Sequence, residues 1–233
     1  MIFKNSVILI TGGSSGLGKS TAKLLIGLGA KVAITGLDEQ KLNNVAQQIG
    51  AYPIRADVSK DDDITKTFKM VLDEFGKLDV LINNAGTGTH VPLEQFSRED
   101  FEQVFNINVF GVAMMTKHAA EIFKQQGKGH IINIGSTSGL NGYKTGSVYS
   151  SSKFALRGLT QCQQAELRPH NIRVTLVNPS EVPTAFGNKE RVERPNEANK
   201  LSSMEIAHTI VSTLSMDDRG MIPEVTVWAT NPW

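Results

Sequence analysis

The sequence predicts an α/β fold, a seven-stranded and mostly parallel sheet with helices on both faces. Three observations predict it. Strand-like and helix-like patterns alternate from end to end. The strand-like runs are continuously apolar, as expected for strands that are buried on both faces. The 233 residues fit one α/β domain, and no repeat or linker divides them. We therefore expect a single domain spanning residues 1–233.

Each element follows from its pattern and its flanking turns. Runs rich in Val, Ile and Leu predict strands at 6–10, 31–35, 52–56, 78–82, 131–134, 172–177 and 224–228. Apolar stripes at helical spacing predict six helices. The first ends near 28, the second spans 39–49 and the third begins at 59. The fourth runs from 97 to just before 127, the fifth contains 149 and continues to about 167, and the sixth spans 202–214. Residues 184–201 are polar and without a period, which predicts a substrate flap.

Composition excludes several classes of function. Lys plus Arg is 24 against 23 for Asp plus Glu, so nothing in the charge favours nucleic acid or an anionic membrane as a partner. Cys162 is the only cysteine, which excludes an intrachain disulfide, and we expect it on the core side of its helix. The five histidines lack ligand spacing, so no metal site is expected. Without a signal peptide or membrane span, a cytoplasmic protein is expected.

A glycine-rich turn at 11–18, Thr-Gly-Gly-Ser-Ser-Gly-Leu-Gly, links the first strand to the first helix. Glycines let the backbone approach a pyrophosphate closely, and the free N–H groups at a helix start hold the anion. A plain tight turn would need no particular ligand. The strand before the turn and the helix after it favour a dinucleotide site.

The stretch from Ser136 to Lys153 has the composition of an acid–base site. Tyr149 and Lys153 are four residues apart and share one face if this segment is helical. A phenol ionises near pH ~10, and an adjacent ammonium would lower its pKa. Ser136 could hold a carbonyl or alcohol oxygen beside them. Alone, a Tyr-x-x-x-Lys pair is more often a solvated surface pair, so its meaning depends on the glycine turn upstream.

Taken together, these motifs resemble the short-chain dehydrogenase/reductase family. The residues that carry the resemblance are Thr11 to Gly18, Asp57-Val58, Asn83 to Gly86, Asn108, Ser136, Tyr149 with Lys153, and Asn178-Pro179 with Thr184. The resemblance implies a Rossmann-type fold and an NAD(P)-dependent oxidoreductase. It implies hydride transfer between nicotinamide and a carbonyl or secondary alcohol, with a 3-oxoacyl thioester among the plausible substrates.

The resemblance also implies a role for each matching residue. Tyr149 would be the general acid and base, and Lys153 would lower the pKa of Tyr149 and bind the nicotinamide ribose. Ser136 would orient the reacting oxygen, and Asn108 would hold a water that links Lys153 to solvent. The cofactor-binding residues would be Gly12, Ser14, Ser15, Gly16, Leu17, Gly18, Leu37, Asp38, Asp57, Val58, Asn84, Ala85, Gly86, Pro179 and Thr184, together with Tyr149 and Lys153.

The chain departs from the family pattern at residues that select the cofactor and again just after Pro179. Relatives that prefer NADP often carry basic residues where Ser15 and Leu37 stand. Asp38 lies about 20 residues beyond the glycines, where an acid binds the ribose 2′-hydroxyl and repels a phosphate. NAD is therefore favoured, although the Asp usual in NAD-preferring relatives is Gly36 here. Ser180 replaces a usual glycine, so either that turn does not need positive φ or the loop takes a shifted path.

Three functions are compatible with such a fold. A carbonyl reductase or alcohol dehydrogenase uses the complete Asn108, Ser136, Tyr149 and Lys153 set. A catalytically silent dinucleotide-binding regulator would not need a proton path. A nucleotide-sugar epimerase is disfavoured by the glycine spacing and the chain length. The resemblance further implies a homodimer or homotetramer, with Val112, Met115, Leu156 and Leu159 as its apolar contact surface.

Overall fold

A computed structural model describes residues 3–187 and 192–232 of the chain. The strands in these residues are β1 Val7–Ile10, β2 Lys31–Gly36, β3 Tyr52–Arg55, β4 Val80–Asn83, β5 Gly129–Ile134, β6 Ile172–Pro179 and β7 Glu224–Val227. The α-helices are α1 Gly16–Gly27, α2 Glu39–Ile49, α3 Asp61–Phe75, α4 Arg98–Phe105, α5 Val112–Gln126, α6 Ser147–Leu167 and α7 Ser203–Leu214.

The strands form one sheet in the order β3-β2-β1-β4-β5-β6-β7. Every neighbouring pair is parallel, so the sheet is entirely rather than mostly parallel. The order reverses between β1 and β4, which opens a crevice at the carboxyl ends of these strands. The predicted Rossmann-type α/β fold is confirmed.

Alternate residues of each strand pack against different layers of helices. In β1, Ile8 and Ile10 join a core with α1, α2 and α7, whereas Val7 and Leu9 join a core with α3 and α5. All four side chains are buried. Two-sided burial explains why the strands are continuous apolar runs and do not alternate with polar residues.

The long helix predicted from 97 to 127 is interrupted by a π-helical turn, Asn106–Gly111, between α4 and α5. Single π turns inside a helix widen its backbone and are frequent at functional sites. This turn contains Asn108, which is buried. The start of the helix is as predicted, since Ser97 and Asp100 form a reciprocal capping box ahead of α4.

Three smaller expectations concern Ser180, Cys162 and the apolar contact surface. Ser180 is not among the described residues with positive φ, so its turn does not require a glycine. Cys162 is exposed, and the expectation that it packs in the core is wrong. Val112, Met115 and Leu156 are buried within the chain itself, so they cannot supply the predicted contact surface. Phe110 in the π turn and Phe154 on α6, in contrast, are exposed apolar side chains.

The region predicted as a flap contains neither helix nor strand at 184–187 and 192–201, and its residues 188–191 lie outside the described ones. Within residues 3–187 and 192–232, no helix has the length and apolarity that a membrane crossing requires. The same residues contain no group of three or more His, Cys, Asp or Glu side chains arranged to hold a metal ion.

Candidate active site

The glycine turn after β1 is held against the end of β4. Gly12 has a φ of +66°, and a Cβ at this position would lie 2.9 Å from the Cα of Ala85. A Cβ at Gly18 would lie 2.4 Å from the carbonyl oxygen of Gly12. The Asn84 side chain donates to the Gly12 and Thr11 carbonyls at 2.9 Å each. Side chains added at Gly12 or Gly18 would therefore disrupt the shape of the turn. Without them, the backbone of the turn can approach a ligand closely.

A cavity of about 1050 Å³ lies along the carboxyl ends of the strands, at the predicted crevice. Nearly all the predicted site residues line it, namely Gly12, Ser14, Ser15, Gly16, Leu17, Leu37, Asp38, Asp57, Val58, Asn84, Ala85, Gly86, Ser136, Tyr149, Lys153, Pro179 and Thr184. Gly18 and Asn108 are not part of the lining. Both lie behind it, Gly18 against Gly12 and Asn84, and Asn108 against Gly86.

Ser136, Tyr149 and Lys153 come together at one end of this cavity. Ser136 follows β5, and its side chain interacts with the Tyr149 phenol and favours the ionised form. Lys153 lies one turn further along α6 than Tyr149, with its Nζ 5.8 Å from the centre of the phenol ring. The same Nζ donates to the carbonyl oxygen of Ile134 at 2.8 Å. The segment is helical as expected, so the spacing of four residues does place both side chains on one face.

Burial controls the protonation of this pair. It raises the pKa of Tyr149 to about 12, and the hydrogen bond from Ser136 opposes that rise only in part. It lowers the pKa of Lys153 to about 8, and no carboxylate is paired with this lysine in the described part of the chain. Burial is the largest cause of the raised pKa of Tyr149 and Lys153 is not among its causes, so the expectation that Lys153 lowers the pKa of Tyr149 stays a prediction.

Asn108 is tied to the loop after β4 and to α6. Its amide nitrogen donates to the Thr87 carbonyl at 2.8 Å and to the Ser152 hydroxyl at 3.0 Å, while its oxygen accepts from the Thr87 N–H at 2.9 Å. Both amide protons are therefore used within the protein. The predicted water-holding role of Asn108 stays a prediction, and it would rely on the oxygen or the backbone of this residue.

The opposite end of the cavity begins at the turn after β2. Asp38 caps α2, because its carboxylate accepts from the Lys41 N–H at 2.9 Å, and the Leu37 side chain beside it is exposed. Lys41 also lines the cavity, which the sequence did not suggest. Further along the edge, the Asp57 carboxylate accepts two hydrogen bonds from Ser59, at 2.7 and 2.9 Å. The side chains that line this end of the site therefore include two carboxylates, of Asp38 and Asp57, and one amine, of Lys41.

A carboxylate occupies the anion-binding end of α1. The Gly16 N–H, the first of this helix, donates to Oε1 of Glu193 at 2.7 Å. Partial positive charge at a helix start favours such an anion. Thr184 also packs against Gly16, and its hydroxyl accepts from the Phe186 N–H at 3.2 Å. Glu193 could not be identified from sequence, since 177 residues separate it from its partner.

Aromatic rings surround the Tyr149 phenol. His90 and Phe186 have ring centres 5.5 and 5.4 Å from that of Tyr149. The Tyr143 hydroxyl and Nδ1 of His90 are 2.9 Å apart, and both side chains line the cavity. Sequence reasoning gave His90 no role. The only available signal was its position in the loop after β4, on the edge of the sheet that bears the site.

The residues present fit a dinucleotide. The glycine turn offers a cradle that a Cβ would fill, α1 offers an N–H group already engaged by a carboxylate, and a buried ammonium without a carboxylate partner lies at the far end. Protein groups that could bind an anion, a ribose and a reacting oxygen therefore lie along one cavity. Fold and site together define a dinucleotide-binding α/β protein with a Ser-Tyr-Lys centre.

Comparisons with known proteins agree with the assignment to dinucleotide-binding α/β proteins. The model of the short chain dehydrogenase family matches residues 6–196. A curated uncharacterized oxidoreductase of Staphylococcus epidermidis is 32% identical over 226 residues, covering 96% of this chain and 97% of its own. Another, from Staphylococcus aureus, is 30% identical over 229 residues and covers 97% and 98% of the two chains.

Solved structures show the same fold. An alcohol dehydrogenase from the archaeon Thermococcus sibiricus, complexed with 5-hydroxy-NADP, superposes with a TM-score of 0.87 at 28% identity over 97% of each chain. A 3-ketoacyl-(acyl-carrier-protein) reductase from Brucella melitensis, complexed with NADH, gives 0.89 at 29% identity and covers 99% of this chain and 100% of its own. The chain belongs to the short-chain dehydrogenase family and is an oxidoreductase of that class.

Proposed function

We propose that this protein is an NAD(P)-dependent carbonyl reductase or alcohol dehydrogenase in which Tyr149 handles the proton. The observation that carries the proposal is the meeting of Ser136, Tyr149 and Lys153 in the cavity that also contains the glycine cradle. A nicotinamide dinucleotide supplies or takes up the hydride. Gly12 and Gly16 would hold its pyrophosphate, and Lys153 its nicotinamide ribose.

The protein positions the substrate oxygen and moves one proton. Because the pKa of Tyr149 is raised to about 12, the phenol carries its proton throughout the neutral range and begins carbonyl reduction as an acid. It donates this proton to the carbonyl oxygen as negative charge develops there. The Ser136 hydroxyl would donate a second hydrogen bond to that oxygen. The Lys153 ammonium stabilises the phenolate that remains, and the reverse steps oxidise an alcohol.

The substrate is proposed to be a ketone or a secondary alcohol, with a 3-oxoacyl thioester among the candidates. The likeness to the Brucella melitensis reductase supports the thioester, and the likeness to the Thermococcus sibiricus alcohol dehydrogenase supports a simple alcohol. Phe186, whose ring centre lies 5.4 Å from that of Tyr149, gives the cavity an apolar wall there, which suits an alkyl chain next to the reacting carbon.

NAD is the proposed cofactor of choice. The carboxylate of Asp38 lies on the cavity lining where it would repel a 2′-phosphate, and Leu37 offers no positive charge. Lys41 on the same lining would favour NADP, so the preference depends on which of the two side chains is nearer the ribose. A comparison of kcat/KM for NADH and NADPH decides the matter. A much higher value for NADPH would overturn this proposal.

A turnover assay distinguishes an enzyme from a catalytically silent dinucleotide-binding regulator. The test is oxidation of NADH and NADPH in the presence of ketones and 3-oxoacyl thioesters, followed by absorbance. The proposal predicts substrate-dependent oxidation by the wild-type chain. Tight dinucleotide binding without turnover of any carbonyl compound would favour the regulator.

We also propose that the protein forms a homo-oligomer. Phe110, in the π turn, and Phe154, on α6, are 57% and 44% exposed. Exposed aromatic side chains of this size are typical of a contact between protein subunits, and a second copy of the chain is the partner that we propose. Light scattering should give a dimer or tetramer mass that Phe154→Asp reduces. A monomer mass for the wild-type chain would contradict the proposal.

A further inference from the structure

A series of polar contacts joins the two elements that carry the catalytic side chains. Ser136 donates its backbone N–H to Oδ1 of Asn178 at 3.2 Å. The Asn178 amide nitrogen donates to Oε1 of Glu224 at 2.8 Å. Arg157, which lies on α6 two turns beyond Tyr149, pairs with the same carboxylate at 3.1 Å. Because the Ser136 side chain also interacts with the Tyr149 phenol, the contacts form a ring that includes the α6 backbone between Tyr149 and Arg157.

The ring begins where the regular pairing of β5 and β6 stops. Gly135 still donates its N–H to the Val177 carbonyl at 2.8 Å, but the N–H of Ser136 is taken by the Asn178 side chain. A Cβ at Gly135 would lie 2.1 Å from Oδ1 of Asn178, so the carboxamide lies directly against this glycine. Asn178 is 1% exposed, and water cannot easily replace it as the partner of Ser136.

Glu224 determines which way the Asn178 carboxamide faces. An ionised carboxylate only accepts hydrogen bonds, so it must receive the NH₂ group of Asn178. The oxygen of that carboxamide then has to face the Ser136 N–H. Arg157 holds the carboxylate from the other side and connects it to α6. Both charged side chains are partly exposed, at 27% for Glu224 and 38% for Arg157, so we expect the pair to contribute to geometry more than to stability.

We propose that Glu224 is a positioning residue for the Ser136 and Tyr149 pair. Its carboxylate sets the orientation of Asn178, which holds the backbone of Ser136. Its ion pair with Arg157 holds α6, and with it Tyr149, at the distance from Ser136 that the pair requires. The first residue of the edge strand β7 thereby controls the alignment of a centre that it does not touch. The effect on turnover rests on the proposed function, whereas the effect on Ser136 does not.

Three variants test the proposal. Glu224→Ala removes the acceptor, Glu224→Gln keeps an oxygen that can accept from Asn178, and Asp218→Asn removes a different ion pair at the same edge of the sheet, with Arg173. The measurements are kcat, the dinucleotide dissociation constant and the hydrogen-exchange rate of the Ser136 amide. In Glu224→Ala, we expect kcat to fall about tenfold and the Ser136 amide to exchange about tenfold faster. Dinucleotide affinity should change by less than about twofold.

The conservative variants distinguish positioning from a general loss of structure. Glu224→Gln should keep both the exchange rate and kcat within about threefold of wild type, and Asp218→Asn should change neither. An unchanged Ser136 exchange rate in Glu224→Ala would overturn the proposal. So would a parallel loss of kcat and dinucleotide affinity, or a Gln variant as impaired as the Ala variant. If the wild-type chain has no turnover, the proposed function is wrong, and the exchange rates alone decide the role of Glu224.

Discussion

The Nζ atom of Lys153 lies over the ring of Tyr149, 5.8 Å from its centre, and is bound to the Ile134 carbonyl rather than to the phenol oxygen. Each side chain is buried, and burial shifts both towards their neutral forms. The site therefore keeps the phenol protonated without help from a ligand.

A tyrosinate titration by ultraviolet absorbance checks this state. Because the pKa of Tyr149 is raised to about 12, the wild-type chain and Tyr149→Phe should have matching curves below about pH 11 in the absence of dinucleotide. An ionisation below about pH 9 that disappears in Tyr149→Phe would show that the cation outweighs burial.

Glu193 should compete with the cofactor for the start of α1. Its carboxylate holds the Gly16 N–H that a pyrophosphate would take, so Glu193→Gln should tighten dinucleotide binding by about two- to fivefold. Glu197→Gln, an exposed change in the same segment, serves as the control and should leave affinity unchanged. Equal dissociation constants for wild type and Glu193→Gln, measured by fluorescence titration, would show that the contact does not compete.

Thr145 should be a source of backbone strain. Its φ is +67°, a region that β-branched residues adopt only with a penalty, and it lies just before α6. Asn adopts this conformation more easily, so Thr145→Asn should raise the free energy of unfolding by about 1 kcal/mol. Denaturant unfolding measures the change, with Lys144→Asn as the control in the same loop. A Thr145→Asn variant no more stable than that control would contradict the expectation.

His130 should make the fold sensitive to acid. Thr175 donates its hydroxyl proton to the Ile222 carbonyl, so Nε2 of His130 must donate to Thr175, and its buried Nδ1 has no partner in the described structure. Burial, with a smaller effect from Arg173, lowers the pKa of His130 to about 3. The unfolded chain takes up the proton near pH ~6.5, so stability is lost as pH falls from there towards about 3.

Denaturant unfolding between about pH 6 and pH 4 tests the role of His130. Each pH unit in this window should remove up to ~1.4 kcal/mol through this residue. His130→Gln keeps a donor for Thr175 and should give a flatter dependence on pH. His208→Gln changes an exposed histidine and should follow wild type. If His130→Gln and wild type lose stability in parallel, the acid sensitivity has another origin.

Local patterns were sufficient to predict the sheet, its helices and most of the cavity lining. Apolar runs, the glycine turn and the spacing of Tyr149 and Lys153 are each encoded within a few residues. The π turn around Asn108 was missed because it leaves the apolar helical pattern almost unchanged. The contact surface was misassigned because an apolar stripe does not tell whether it faces its own core, as Met115 does, or a partner.

Other features depend on tertiary structure that no local pattern contains. Glu224 meets Asn178 only because β7 pairs with β6, and Glu193 reaches Gly16 only through the path of the chain after Thr184. The direction of the Tyr149 pKa depends on how completely the phenol is enclosed, which spacing along a helix cannot show. Sequence therefore predicts which residues assemble, and the structure is needed for their electrostatics and their supporting contacts.

The most direct test is the rate of NADH and NADPH oxidation by Tyr149→Phe beside wild type, with any ketone or 3-oxoacyl thioester that the wild-type chain reduces. Loss of the proton donor should lower kcat by about 10²- to 10⁴-fold. Dinucleotide affinity should stay close to wild type, because the glycine cradle is unaltered. Turnover by Tyr149→Phe at the wild-type rate would contradict the assignment of the proton transfer to this phenol.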